Sequence, residues 1–435
     1  MPTPYRRNAQ TPAGRIAATP GTANWGGFFG LLQEYSGASA GYSLRKIGSG
    51  PVVRLRRASD NAEKGFYASE VVAGTAGSEL VVNGDFATDS VWSKGAGWSI
   101  TGGQAVCDGS QVVRSTFTQN GIYGGDVIHI VTFDVVACSN FAGAGTVMRR
   151  GTVQSFSVLS NITSPGTYTR ILSSESNASF GFYADAGVTL TLDNVSLKTY
   201  TASSAESWAV VDSTLGTRGI TGSDESAFCT TWYDQSGSGN DATQAVSTAQ
   251  PLLIRAGVTH TVNGKAALSF DGVDDELPIG AIGISGSDNR SVFSVVSPDA
   301  YPATDGGGYL GIEGPVGLGS AYDHCIESGQ FALRVRGNAL YADADNNITQ
   351  RLWTTNLDGT TAFEVELFKD GTSVARTGGT DRTLVGVDDW VVGATPSQPT
   401  TNYDGSLQEI IIYPSDQSAN RTGIETNIND HYGIY

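Results

Sequence analysis

Short runs in which apolar and polar side chains alternate, cut by Gly, Asn and Asp, recur along this chain, and a helix cannot use that period of two. Tyr42-Ser43-Leu44-Arg45-Lys46-Ile47 and Val52-Val53-Arg54-Leu55-Arg56-Arg57, separated by a Gly-Ser-Gly-Pro turn, predict two half-buried strands. Val127-Ile128-His129-Ile130-Val131-Thr132-Phe133-Asp134-Val135 and Gly405-Ser406-Leu407-Gln408-Glu409-Ile410-Ile411-Ile412-Tyr413 read the same way. With 56 glycines and only 16% charged residues, the chain suits many short strands joined by tight turns. The expected class is all-β. Helical spacing occurs in the tail alone, from about Ser415 to His431, where Ile424, Ile428 and Tyr432 fall four apart and Ser or Asp is available as N-cap. One short helix against a sheet is expected there.

Length and charge bound the function. A chain of 435 residues has room for two or three cores. A net charge of -17 disfavours nucleic acid and anionic membrane as partners, because both require a basic surface. The first 64 residues are nevertheless basic in balance, either as an arm that docks on an acidic neighbour or as solvated side chains on strand surfaces. Four cysteines are too few for a disulfide framework, and Cys107, Cys138, Cys229 and Cys325 lack metal spacing. Cys107 and Cys138 share one module and would pair only if their Cα atoms came close. The chain opens on no charged n-region with an apolar h-region, and it holds no apolar run of about 18 residues. Synthesis in a cytoplasm and a soluble product are the expectations.

Texture divides the chain. Residues 1–40 are rich in Gly, Ala, Thr and Pro and read as an extended arm, with Trp25, Phe28 and Phe29 as the anchor that orders by packing on something else. A different texture begins near Ser78. Leu80-Val81-Val82-Asn83-Gly84-Asp85-Phe86 opens it, Gly97-Trp98-Ser99-Ile100 follows, and Val188-Thr189-Leu190-Thr191-Leu192-Asp193-Asn194-Val195-Ser196-Leu197 closes it. This span resembles the galactose-binding-like jelly rolls used as carbohydrate-binding modules. After residue 200 the first texture returns with Thr230-Thr231-Trp232-Tyr233-Asp234-Gln235-Ser236-Gly237-Ser238-Gly239-Asn240-Asp241-Ala242-Thr243-Gln244, then Ala267-Leu268-Ser269-Phe270-Asp271-Gly272 and the Gly405–Tyr413 run. Together with the strands before residue 78, these resemble the catalytic domain of arabinofuranosidase B and the wider concanavalin-like laminin-G sandwiches. The implied organisation is an arm at 1–40, a laminin-G-like sandwich from 41–77 plus 200–435, and a jelly roll inserted at 78–199.

The resemblance carries an expectation about chemistry. A retaining glycosidase needs two carboxyl groups about 5 to 5.5 Å apart. Here the position of the family's nucleophile falls on Arg336 or Gly337, and the region of its acid, Val391-Val392-Gly393-Ala394-Thr395-Pro396-Ser397, contains no acid. The resemblance thus implies a scaffold kept without bond cleavage.

Other candidates are weighed on their residues. Asp85 and Asp193 sit where related modules hold a structural calcium, or else they make turn hydrogen bonds. Trp92 offers a flat face for a sugar ring, whereas the Gly-Trp-x-Ile context of Trp98 suits core packing. Asp234, Ser236, Asn240 and Asp241 form a polar group that either touches a glycan or ion or holds a turn. Glu364 and Glu366 share the ordinary polar face of a strand. His129, His260, His324 and His431 are too scattered for a metal cluster, and no Ser/His/Asp triad, P-loop or dinucleotide fingerprint is present. No cofactor is expected beyond a structural calcium.

Sandwiches with a vacated glycosidase site, an inserted sugar module and a Gly-rich arm resemble proteins displayed on phage particles. The expected function is a non-catalytic virion protein, a tail fibre, receptor-binding component or head decoration. It would assemble in the host cytoplasm with other virion proteins, form a trimer or other symmetric oligomer, and face a host surface glycan. A glycoside hydrolase of the arabinofuranosidase B type and a structural virion protein without sugar binding are the alternatives.

Overall fold

The strand Asp404–Tyr413 is buried along nearly all its length and organises the larger half of the protein. Its unbroken Ile410-Ile411-Ile412-Tyr413 run is apolar on both faces because both are covered. Ile410 and Ile412 point into one core, and Ile411 and Tyr413 into another beneath the sheet. Along one side it pairs antiparallel with Arg290–Pro298. Along the other, its first half pairs with Leu268–Asp271 and its second with Ala40–Ser43. A register shift leaves Gln408 unpaired between Leu407 and Glu409, and this bulge keeps Leu407 on the same face as Ile410.

The computed structural model describes residues 30–122, 128–139, 147–149, 164–173, 179–209, 226–286, 288–299, 307–312, 322–327, 330–335, 338–341, 348–359, 361, 364–375, 383–384, 388–395 and 402–435. The expected anchor residues Trp25, Phe28 and Phe29 lie outside these, as do Arg336 and Gly337.

The chain is mostly β, built from several antiparallel sheets, with one short helix at the C-terminal end. The large sheet runs in the order Thr372–Ser373, Val365–Lys369, Arg351–Leu357, Arg290–Pro298, Asp404–Tyr413, Leu268–Asp271, Leu252–Arg255, Ala227–Trp232, Val53–Arg57, Glu63–Phe66. A second sheet, Leu277–Gly280, Trp390–Val392, Gly308–Ile312, Asp323–Glu327, Gln330–Val335, Asn338–Tyr341, packs on one face of it. Phe331 of the second sheet stacks on Trp353 of the first at 4.2 Å, which fixes the two layers face to face. On the opposite face lies the helix Arg421–Tyr432, whose Ile424, Ile428 and Tyr432 are buried as their spacing requires. Between strand and helix sits Glu409, fully buried. Its two oxygens accept from Arg45 at 2.7 and 2.8 Å, and Ser43 Oγ and Tyr432 Oη donate to it at 2.8 and 3.2 Å.

The residues from 75 to 201 form two further sheets. One orders Val147–Arg149, Phe180–Ala184, Ser115–Gln119, Ser93–Lys94. The other orders Gly166–Ser173, Ile128–Ser139, Thr189–Thr201, Gln104–Asp108, Trp98–Thr101, with Thr75–Glu79 pairing the end of Thr189–Thr201. Their core is a separate cluster drawn only from residues between Val81 and Leu197. At its centre Phe117 is stacked between Trp92 at 4.6 Å and Trp98 at 5.0 Å.

Where the chain leaves this module, Glu206 is fully buried and is in no ion pair among the described residues. Its oxygens accept from Tyr200 Oη, from Ser203 N at 2.9 Å, from Gly74 N at 3.3 Å and from Thr259 N at 2.8 Å. It thereby joins both connecting segments to a hairpin of the large sheet. Ser203 Oγ accepts in turn from Glu206 N at 3.2 Å, a reciprocal cap on the helix Ser204–Ala209.

The strand expected over residues 42–47 is Ala40–Ser43, and residues 44–47 leave the sheet as a loop. The helices also differ from the sequence reading, and the question left open for Cys107 and Cys138 is decided. The C-terminal helix begins at Arg421, after Asn420 and without a side-chain cap bond, so neither Ser nor Asp caps it. Gly433 ends it at φ 63, a left-handed position that glycine takes without strain. Leu31–Glu34 and Ser204–Ala209 are additional helices, too short to display a 3.6-residue period. Cys107 and Cys138 stand opposite Leu190 from its two flanking strands, hence two strand spacings apart, about 9.6 Å. That exceeds the roughly 7 Å limit for a bridge, and both are free thiols. No helix among the described residues is long and apolar enough to cross a membrane.

Two substitutions test these cores. Phe117→Ala removes the ring between two indoles and is expected to cost about 3–5 kcal/mol in urea unfolding followed by tryptophan fluorescence. Glu206→Ala leaves buried N–H groups and a hydroxyl without an acceptor. It is expected to cost roughly 2–4 kcal/mol by the same measurement, and an unchanged midpoint would refute the role given to it.

Candidate functional site

The polar group around Asp234 is a clamp on the N-terminal segment. Asp234 Oδ1 accepts from Gly41 N at 2.9 Å and Ser236 N at 2.8 Å, and Oδ2 accepts from Ser236 Oγ at 2.7 Å and Asn240 N at 3.1 Å. Asp241 Oδ1 accepts from Asp234 N, Asn240 Nδ2 donates to Ser39 O, and Tyr42 Oη donates to Asn240 O. Buried Gln235 completes it, accepting from Ile47 N and Gly48 N and donating to Ser43 O and Arg45 O. Of the two sequence readings for Asp234, Asn240 and Asp241, the turn-holding one matches these contacts.

Trp92 is 4% exposed, its ring face lies on Phe117, and its Nε1 donates to Asn83 O. The expectation of a sugar platform there is corrected by burial, since neither face is open. Asp85 Oδ1 accepts from Ala87 N at 3.4 Å, and Asp193 Oδ1 accepts from Asn194 N at 2.8 Å. Both make the turn contacts of the second reading, and neither belongs to a group of three metal-capable side chains among the described residues. His129, His260, His324 and His431 belong to no such group either. His324 is buried against Tyr309, Tyr322 and Phe331, and burial pushes it down to about 3.

A cleft of about 490 Å³ opens where the strands Leu268–Asp271, Leu277–Gly280 and Trp390–Val392 end in loops. Trp390 is buried beneath it, its Nε1 donating to Ile284 O. Gln244, Asp274, Glu276, Asp389, Thr395 and Asn402 bring polar groups to the wall, and the exposed Val246 and Val273 flank it. The amides are held in place, because Gln244 Nε2 donates to Glu276 O and Asn402 Nδ2 to Asp275 O. Among the described lining residues there is no Lys or Arg.

One wall of this cleft is the loop Asp271-Gly272-Val273-Asp274-Asp275-Glu276. Gly272 takes φ +73, and a Cβ there would meet the side chain of Asp404 at 2.8 Å, so the turn requires glycine. Asp271 Oδ1 accepts from Val273 N, and Asp275 Oδ2 accepts from Asp271 N at 3.0 Å. These contacts bring carboxylate oxygens of Asp271, Asp274 and Asp275 within 4.8 Å of one another. Burial, then the charges of Asp271 and Asp274, push Asp275 up to about 7. Glu276 is raised by burial and by Asp274. Three hard oxygen donors at this spacing have the chemistry to hold a divalent cation or to share a proton. The sequence reading stopped at Leu268-Ser269-Phe270-Asp271-Gly272; the signal it passed over is the acid run Asp274-Asp275-Glu276 just beyond that turn.

No family model matches this sequence, and no curated protein matches it. Among solved structures it is similar to the carbohydrate-binding module CBM40 of the Ruminococcus gnavus IT-sialidase bound to α2,3 sialyllactose, with 14% identity over 36% of this chain and 94% of that one, at a TM-score of 0.27. It is also similar to Trypanosoma rangeli sialidase, with 13% identity over 62% of this chain and 49% of that one, at a TM-score of 0.33. A third is domain 4 of AbnA, a GH43 extracellular arabinanase from Geobacillus stearothermophilus, in complex with arabinotriose, with 12% identity over 37% and 77% and a TM-score of 0.26. At these scores they stand as likenesses alone.

The raised Asp275 sets a pH dependence with a definite sign. Its folded value lies above the carboxylate's ordinary one, so from pH 4 to about 7 the folded state keeps a proton that the unfolded state has lost. Stability therefore falls across that interval as pH rises. Asp275→Asn is expected to flatten this part of the profile in thermal melts, and an identical slope in both proteins would contradict the assignment.

Proposed function

We propose that this protein is a non-catalytic glycan-binding protein whose sugar site is the cleft beside Trp390, and that it is displayed on a bacteriophage particle. The observation that carries the binding reading is the lining of that cleft. Carboxylates of Asp274, Glu276 and Asp389 accept hydrogen bonds from sugar hydroxyls, while Val246 and Val273 offer aliphatic surface to the C–H faces of a ring. A polyhydroxylated ligand needs both, and the volume lies within the range of small-ligand sites. The non-catalytic part is supported by the acid loop itself. Asp271, Asp274 and Asp275 come from one turn, and Asp275 is 5% exposed with an oxygen engaged by the backbone. Glycosidase carboxyls, by contrast, must stand on either side of the scissile bond. Display on a particle is supported by the combination read in the sequence, a sugar-module jelly roll inserted in a glycosidase-like scaffold behind a Gly-rich arm.

A glycosidase of the arabinofuranosidase B type is the second reading, favoured by a carboxyl near 7 within 4.8 Å of two others. A glycan array with the wild-type protein and an Asp274→Asn/Glu276→Gln variant tests the first reading: binding by the wild type and its loss in the variant are expected. Steady release of arabinose from a synthetic arabinofuranoside, abolished in Asp275→Asn, would establish the second reading instead. Antibody labelling of particles tests display, and unlabelled particles would remove that part.

A further inference from the structure

The cleft is acidic without relief. Asp274, Glu276 and Asp389 line it, Asp271 and Asp275 adjoin Asp274, and none of these five is in an ion pair among the described residues. Behind the loop, Asp404 lies against Gly272, and its carboxyl is raised by burial and then by Asp299 and Asp271. Thr395 adds an independent feature to the same wall. It is 1% exposed, lines the cleft, and its Oγ1 has no hydrogen-bond partner among the described residues. A buried hydroxyl without a partner calls for an explanation, and a ligand group seated in the cleft would complete its bonding.

From this lining we infer that the cleft selects glycans bearing protonated amines, the class of deacetylated amino-sugar oligomers, over neutral N-acetylated and over acidic sugars. The inference rests on the reading of the cleft as a glycan site and names the class of glycan. An ammonium group on a pyranose ring donates three charge-assisted hydrogen bonds to carboxylates, while its ring carbons meet Val246 and Val273. Uronic and sialic acids would bring a further negative charge against a wall whose described residues include no cation to receive it. A bare divalent ion satisfies the acids but leaves most of about 490 Å³ and both valines unused.

Titration calorimetry with a glucosamine tetramer, an N-acetylglucosamine tetramer, a galacturonate oligomer and spermine tests the inference. The glucosamine oligomer is expected to bind roughly tenfold tighter than its N-acetylated counterpart, with an affinity that falls as salt rises. The galacturonate oligomer is expected not to bind. Asp274→Asn, at an exposed position, is expected to shrink the preference for amine, as is Glu276→Gln; thermal melts of both check folding, and the salt dependence of the wild type stands independently of them. Equal affinity for the two tetramers, or tighter uronate binding, overturns the amine preference and leaves the glycan reading intact. Spermine binding as tightly as the glucosamine tetramer overturns the glycan class, and no binding of any sugar on this panel or the array overturns both readings.

Discussion

Glu409 places a carboxylate where no water reaches it, on the strand shared by the core and the helix layer, and its neighbours are arranged around that charge. An unpaired charge at such a place costs several kcal/mol, so the guanidinium of Arg45 and the hydroxyls of Ser43 and Tyr432 must be present together. Those three groups come from the first described strand, the loop after it and the last helix. A one-residue slip of Ala40–Ser43 on its partner would turn Ser43 to the opposite face and strand the carboxylate. The pair thus fixes register where apolar contacts alone would tolerate several.

The protein treats its buried and surface acids differently. Glu206, at the junction with the module at 75–201, has neutral donors around it among the described residues, and their number substitutes for a counter-ion. The acids of the loop at 271–276 have fewer donors and no ion pair among the described residues. They are held close by a turn at Gly272, φ +73, where any side chain would strike Asp404. A loop of this kind stores unfavourable electrostatics at the surface, where a ligand of opposite charge can release it.

The sequence made the architecture legible wherever periodicity was long enough to be read. The alternating runs at 52–57, 127–135 and 405–413 became strands, the run at 42–47 did so only at its first two residues, and Ile424, Ile428 and Tyr432 became the buried face of a helix. The two-strand interval between Cys107 and Cys138 was hidden because it depends on pairing partners and not on spacing. The burial of Trp92 was hidden for a similar reason: its stacking partner, Phe117, lies on a strand 25 positions away. Ser203-x-x-Glu206 was readable as a reciprocal cap, but the reach of Glu206 to Gly74 and Thr259 was not. Of the cleft, sequence reasoning reached only the stretch that holds Val391, Ala394 and Thr395; Gln244, Asp274, Asp389 and Asn402 meet there only after the sheets are stacked.

The pairing of Ala40 with Ile412 bears on the order in which the polypeptide acquires its shape. During synthesis, the segment from Thr75 to Thr201 has its own partners for every strand and can settle as soon as it clears the ribosome. The strand Ala40–Ser43, made first, must wait until Asp404–Tyr413 has emerged. Its neighbour Val53–Arg57 waits likewise for Ala227–Trp232. The outer sandwich therefore closes late and through distant contacts, the kind of pairing that folds slowly.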